Sequence, residues 1–182
     1  MKRLCVFCGS RTGTAPIFTE QTRLLGAAMV RRGFGLVFGA GHVGLMGVLA
    51  DAVRAHGGET IGVIPRSLVE RELAHQELTD LRVVESMHDR KALMAEMSDG
   101  FLALPGGYGT LDEFFEIVTW AQLNFHHKPI GLLNLAGFYD PLLAWMERAI
   151  AEDFVKAKNR ALVMVESDVE PMLDRMEAAL KK

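Results

Sequence analysis

The chain has 182 residues, 49% of them apolar and 24% charged, with 20 Lys and Arg against 23 Asp and Glu for a net charge of −3. That apolar content excludes a disordered or collagen-like polymer, and a length close to the ~150 residues of a typical domain predicts one unit spanning residues 1–182. A weakly acidic chain with no block of like charge does not draw polyanions, so nucleic acid is not expected as a partner.

Strand-like and helix-like patterns alternate from end to end. Residues 3–7 read as a strand, 16–32 as a helix with Pro16 at its favoured first position, 35–38 as a strand and 44–55 as a helix. Residues 60–64 form the next strand, followed by a charged irregular stretch to about residue 80, a short strand over 81–84 and a helix over 87–97. The remainder reads as strand 101–104, helix 111–124, strand 130–133, helix 141–153, strand 162–165 and helix 169–180. Near-continuous apolar strands such as FLAL, IGLL and LVMV suit a sheet covered on both faces. The expected fold is therefore α/β, a doubly wound, mostly parallel sheet with helices on both faces, of Rossmann-like type. Ligands of such sheets bind beyond the carboxyl ends of the strands, which directs attention to the glycine-rich strand ends.

Residues 33–50 carry no charge, but six of these 18 positions are glycine and one is His42, so they do not read as a membrane span. The start, MKRLCVFCGS, lacks the apolar length of a secretory leader. A cytoplasmic protein without a membrane partner is expected. Cys5 and Cys8 stand three apart on or beside a strand, which points them to opposite faces, and no second cysteine pair completes a metal site. They read as two buried small apolar side chains.

Three strand ends carry glycine. In CGSRTG, residues 8–13, Ser10 and nearby backbone N–H groups face either an anion or an ordinary turn. GAGHVG, residues 39–44, has the spacing of a dinucleotide fingerprint, yet it follows the second strand, and Pro65 and Arg66 stand where a ribose-binding acid would end the next. LPGGYGTLDE, residues 104–113, is the most informative. Gly106, Gly107 and Gly109 permit a concave loop around Tyr108, and Thr110 opens a helix whose N-terminal amides and dipole suit a phosphate. The same residues fit a capping box, with Glu113 merely accepting from the Thr110 backbone. In ESMHDRKALMAEM, Ser86 and Asp89 form a helix N-cap that places Arg90 and Lys91 just past the first turn. Cations gain nothing from a helix N-terminus, so a ligand is one reason for their presence there.

At MHDRK, residues 87–91, and PGGYGTLDE, residues 105–113, the chain resembles the LOG (Lonely Guy) family of cytokinin riboside 5′-monophosphate phosphoribohydrolases, which also carries the older label of possible lysine decarboxylases. GAGHVGLMG, residues 39–47, is similar to the family's G-G-G-x-x-G-L-M-G with Ala40 in place of the middle glycine, and the likeness continues through TWAQL and KPIGLLN. The resemblance implies a Rossmann-like hydrolase that cleaves the N-glycosidic bond of AMP or cytokinin riboside 5′-monophosphates, with neither cofactor nor metal. It implicates Arg90 and Glu113 in catalysis. It assigns substrate binding to Glu72, Lys91, Gly106, Gly107, Tyr108, Gly109, Thr110, Leu111, Asp112 and Thr119, beside Ser10 from the first turn. It also implies a homodimer with the active site near the subunit boundary, in keeping with a helix over 111–124 that is apolar nearly all round. The alternative is a carrier module that holds a nucleotide-like cofactor without cleaving it. Pyridoxal chemistry would need a Schiff-base lysine, and Lys91 and Lys128 are the internal candidates.

Overall fold

The computed structural model describes residues 1–69, 74–75 and 77–181. Seven strands, β1 (Lys2–Phe7), β2 (Phe34–Phe38), β3 (Thr60–Pro65), β4 (Asp80–Val84), β5 (Gly100–Ala103), β6 (Ile130–Leu133) and β7 (Val163–Glu166), form one sheet in the order β4-β3-β2-β1-β5-β6-β7. Every pairing is parallel. The helices are α1 (Pro16–Arg31), α2 (Gly44–Ala55), the single turn α3 (Arg66–Val69), α4 (Met87–Glu96), α5 (Tyr108–Gln122), α6 (Asp140–Ala151) and α7 (Val169–Leu180).

Alternation along β1 sends Leu4, Val6 and Cys8 into one apolar layer with α1, α2 and α7, and Cys5 and Phe7 into the other with α4, α5 and α6. Both faces are therefore dry, as a parallel sheet requires. The two cysteines do face opposite ways, and both are free and buried. Burial pushes the thiol pKa of each upward. Only β4 at the sheet edge leaves its middle residues exposed, and there Arg82 pairs with Asp80 at 2.7 Å, a charged edge that discourages further strand addition.

The differences from the sequence expectation lie at element ends and in the irregular stretch. Residues 66–69 form the turn α3, and residues 157–162 wind into 3₁₀ geometry ahead of β7. The larger difference is in α5, which starts at Tyr108, three residues earlier than the periodicity suggests. Its N-cap is Gly107 in an extended conformation (φ −101°, ψ −151°), without a side-chain cap. Thr110 consequently lies inside the first turn, and Glu113 lies a further turn on. The capping-box reading of Thr110 and Glu113 is thus excluded, because that box needs threonine at the cap and the acid three residues later.

The winding direction of the sheet reverses between β1 and β5, and the turns that follow those strands are laced together. The Gly9 N–H donates to the Pro105 carbonyl at 3.0 Å, and the Leu45 N–H donates to the Gly9 carbonyl at 2.9 Å. This draws the turns after β1, β2 and β5 into one cluster at the carboxyl edge, where ligands of open α/β sheets bind. Gly44 makes the lacing possible. It opens α2 at φ 65°, and a Cβ there would lie 2.2 Å from the Ser10 carbonyl carbon. Gly44→Ala meets backbone it cannot displace while holding a left-handed conformation, so it should lower unfolding free energy by about 2 kcal/mol or more in urea titration.

Candidate active site

The laced turns enclose a cavity of about 590 Å³ whose wall includes Cys8, Ser10, Arg11, Gly39, Met46, Met87, Arg90, Gly107, Tyr108, Gly109, Thr110, Asp112 and Glu113. A smaller cavity of about 240 Å³ lies beside it, lined by Phe18, Leu45, Pro105, Gly106 and Phe138, and shares Ser10, Arg11 and Gly107 with the first.

Arg90 reaches the large cavity from α4, whose start is fixed by a capping box. The Asp89 N–H donates to Ser86 Oγ at 3.0 Å, and the Ser86 N–H donates to Asp89 Oδ2 at 3.1 Å. The Arg90 side chain is 9% exposed. Its Nη2 donates to the Gly39 carbonyl at 3.0 Å and stands 3.9 Å from Glu113 Oε1. A Cβ on residue 39 would lie 1.7 Å from that Nη2, so glycine at this position is what admits the guanidinium. Arg90 Nε is buried and has no hydrogen-bond partner among the described residues. A buried donor left open on a cavity wall is the kind of group that a ligand satisfies.

Glu113 projects from the second turn of α5 with its side chain 12% exposed. Burial pushes its carboxyl pKa up to about 7, against the lowering effect of Arg90 and Lys91 and with a smaller raising effect of Asp112 and Glu116. Desolvation wins because Arg90 sits beyond hydrogen-bond range of the carboxylate.

At the start of α5 the N–H groups of Tyr108, Gly109 and Thr110 precede the first intrahelical bond, which the Leu111 N–H makes to the Gly107 carbonyl at 3.1 Å. A Cβ on Gly107 or Gly109 would meet nothing within 4 Å, so the protein's own packing does not demand glycine at either position. The empty space beside Gly107 and Gly109 leaves room near these amides for the close approach of an anion.

Other residues singled out in the sequence fall elsewhere. Lys91 bridges Asp112 at 3.1 Å and Glu116 at 3.2 Å, which ties α4 to α5 and keeps it off the cavity wall. Burial alone would lower its ammonium pKa, but the hydrogen bonds to Asp112 and Glu116 outweigh that and raise it. Leu111 and Thr119 line a shallow groove along the outer side of α5 together with Phe115 and Trp120, and Tyr108, 95% exposed, stands where this groove meets the cavity. Gly106 faces the smaller cavity. Glu72 lies outside the described residues.

Sequence reasoning missed Gly39, Met87 and Arg11 as wall residues. Gly39 stood in a motif weighed against dinucleotide binding and matched to the LOG family's glycine-rich segment, without being given a place at the site. Met87, whose Sδ is 3.7 Å from Arg90 Nη1, served only as a landmark for the Arg-Lys pair.

Ala40 adopts φ 59° while fully buried, a left-handed conformation that costs a non-glycine residue roughly 1–2 kcal/mol. The His75 N–H donates to its carbonyl at 2.8 Å, and Gly41 bridges Ala74. The alanine replacement is therefore tolerated by outside support.

A family model described as possible lysine decarboxylase matches residues 46–176. Cytokinin riboside 5′-monophosphate phosphoribohydrolase LOG7 of Arabidopsis thaliana is 43% identical over 176 residues, covering 97% of this chain and 81% of the relative. The chain belongs to the LOG family. Probable cytokinin riboside 5′-monophosphate phosphoribohydrolase LOGL5 of Oryza sativa subsp. japonica is 47% identical over 176 residues, covering 97% of this chain and 72% of the relative. Among solved structures, the molybdenum cofactor carrier protein of Chlamydomonas reinhardtii superposes with a TM-score of 0.73 at 22% identity, covering 100% of this chain and 99% of that one. The molybdenum cofactor binding protein of Rippkaea orientalis gives 0.74 at 21%, covering 98% and 97%. At these identities the two share the LOG fold. No helix among the described residues is long and apolar enough to cross a membrane.

The decarboxylase wording of the family description does not fit the lysines present. Lys91 is held between two carboxylates, and Lys128 donates to the Ala95 carbonyl at 2.7 Å with its Nζ 5.9 Å from the centre of the Phe101 ring. Neither lines the large cavity.

The Glu113 environment predicts a measurable stability signature. A carboxyl titrating near 7 in the folded chain and near 4.5 when unfolded binds its proton more tightly when folded, so stability falls as pH rises between those values. Glu113→Gln should unfold at higher urea concentration than wild type at pH 8, by on the order of 3 kcal/mol, with the difference vanishing below about pH 4.5.

Proposed function

We propose that this protein hydrolyses nucleoside 5′-monophosphates, AMP and cytokinin riboside 5′-monophosphates among them, to free base and ribose 5-phosphate. Membership of the LOG family supports the activity. The single observation that carries the site assignment is the buried pair of Arg90 and Glu113, 3.9 Å apart on the wall of a cavity that also holds the open N-terminus of α5.

Cleavage breaks the bond between C1′ and the base nitrogen, leaves the electron pair on the base and develops oxocarbenium charge on the ribose. Ionised Glu113 stabilises that charge and takes a proton from the water that attacks C1′, as a group of its pKa is suited to do near neutrality. Arg90, braced by the Gly39 carbonyl, presents its guanidinium to the sugar and keeps the carboxylate in place. The amides of Tyr108, Gly109 and Thr110 receive the 5′-phosphate. Ser10 and Asp112 complete the wall around the ribose, whereas Lys91 acts from outside by holding α4 against α5. A carrier needs the phosphate cradle but has no use for a desolvated carboxylate, so the same pair disfavours that reading.

We further propose a homodimer formed through the outer side of α5. The groove with Leu111, Phe115, Thr119 and Trp120 runs on from the mouth of the cavity at Tyr108, and Leu123, Phe125 and Trp145 are exposed nearby in sequence or packing, with Trp145 stacked edge-on to Phe115. A second copy seated there covers this apolar surface and stands close to the site.

Incubation with AMP and assay of ribose 5-phosphate tests the activity directly. Glu113→Gln and Arg90→Ala should each lower kcat/KM by a factor of about a hundred to a thousand, comparable to the loss of an oxyanion-hole donor. Wild-type kcat/KM should rise with pH through the region around 7 as Glu113 loses its proton. Retained activity in Glu113→Gln would remove it from the mechanism. Light scattering should give twice the chain mass of 20.1 kDa, and Trp120→Glu should shift the particle toward the single chain.

A further inference from the structure

The structure assigns Arg11, in the turn after β1, as the residue that neutralises the substrate's 5′-phosphate and sets the preference for monophosphates over free nucleosides. This inference rests on the phosphoribohydrolase reading above and names the part of the site that chooses its substrate.

The charges on the cavity wall are few. Among the described residues, Arg11 and Arg90 are its cations, and Asp112 and Glu113 its anions. Arg90 already serves the Gly39 carbonyl and stands beside Glu113, where it is needed at the sugar end. Lys91, the other cation of the Arg-Lys pair, is spent on Asp112 and Glu116. A phosphate dianion brought to the α5 amides would therefore meet the partial positive charge of the helix and cations already engaged by carboxylates, unless another cation answers it. Arg11 is exposed and, among the described residues, has no ion pair or side-chain hydrogen bond.

Its place in the fold fits that role. Arg11 and Gly107 both line the large cavity and both line the small one, so they stand together at the junction between the two. Gly107 caps the helix whose free amides face the same space. The backbone of the Arg11 turn is fixed on two sides. Gly9 is bonded to Pro105, and the close approach of Gly44 places its would-be Cβ 2.4 Å from the Arg11 nitrogen. A long, unengaged guanidinium on a pinned backbone reaches a phosphate oxygen without loop rearrangement, and its planar donors match two such oxygens. The independent sign that a ligand completes this cavity is the buried, unpartnered Nε of Arg90 on the same wall.

Kinetics on AMP and adenosine, together with calorimetric titration of ribose 5-phosphate, test the assignment in the full chain. Arg11→Ala should raise KM for AMP about tenfold, the equivalent of one charge-assisted hydrogen bond, while kcat changes much less. The same variant should weaken ribose 5-phosphate binding by a similar factor and leave kcat/KM for adenosine unmoved. Arg11→Lys should recover part of the loss. Arg23→Ala removes an equal charge from the exposed side of α1 and should match wild type. If Arg11→Ala keeps both the wild-type KM for AMP and the wild-type affinity for ribose 5-phosphate, the assignment is overturned while the hydrolase reading stands. If AMP kinetics and adenosine kinetics fall together, Arg11 supports the fold of the turn instead of reading phosphate, and the assignment is again overturned. If wild type releases no base from AMP, the hydrolase reading fails, and the calorimetric comparison alone decides Arg11.

Discussion

Arg90 brings a permanent positive charge to 3.9 Å from Glu113 in a place where both are shielded from water. The separation matters as much as the proximity. A direct bidentate pair would occupy both carboxylate oxygens and hold the acid firmly ionised. Here the guanidinium bonds instead to the Gly39 carbonyl, so it stabilises the carboxylate through space and leaves its oxygens free. Burial then outweighs attraction, and the group titrates near neutrality. The rest of the site follows from keeping this arrangement in position: a residue without a side chain at 39, a capped helix that aims Arg90 inward, and a helix start at Gly107 that puts Glu113 on the cavity wall.

The same geometry divides labour among neighbouring cations. Successive residues on a helix point about 100° apart, so Arg90 enters the cavity while Lys91 turns against α5 and ties the two helices through Asp112 and Glu116. Holding α4 to α5 is also what fixes the distance between Arg90 and Glu113, since each helix carries one of the pair. Lys91 therefore shapes the site without facing it. In the proposed mode of binding, that separation leaves the phosphate end short of positive charge and gives the turn after β1 its part in substrate choice.

Most of the fold was legible because strand cores such as IGLL are apolar at every position, which only a sheet covered on both faces accommodates. The α4 cap was equally readable, as Ser86 and Asp89 occupy the two ends of a local hydrogen-bond exchange. The start of α5 was not, because Gly107 and Gly109 weaken helix propensity and the true cap carries no side-chain signal. That misplacement left Glu113 open to a capping role that the actual start forbids. Glu113 and Arg90 were found through motif resemblance, while Gly39 needed three dimensions: nothing local shows that a guanidinium from a residue 51 positions away fills the space above it. Thr119 and Leu111 lie outside the cavity for a plain reason of helical phase, on the side of α5 that faces away from Glu113.

The reversal of strand order between β1 and β5 also dictates when the cavity comes into being. Among the described residues its walls come from five stretches that lie far apart along the polypeptide, and they meet only where Leu4 is in register with Gly100. Parallel pairing across such a gap carries a large loop-closure entropy and scores high in contact order, which slows folding. No fragment ending before α5 contains both halves of the charge pair, and an isolated β1-to-β4 segment has no recess to offer a nucleotide. Ligand competence is thus a property of the assembled sheet and of neither wing alone.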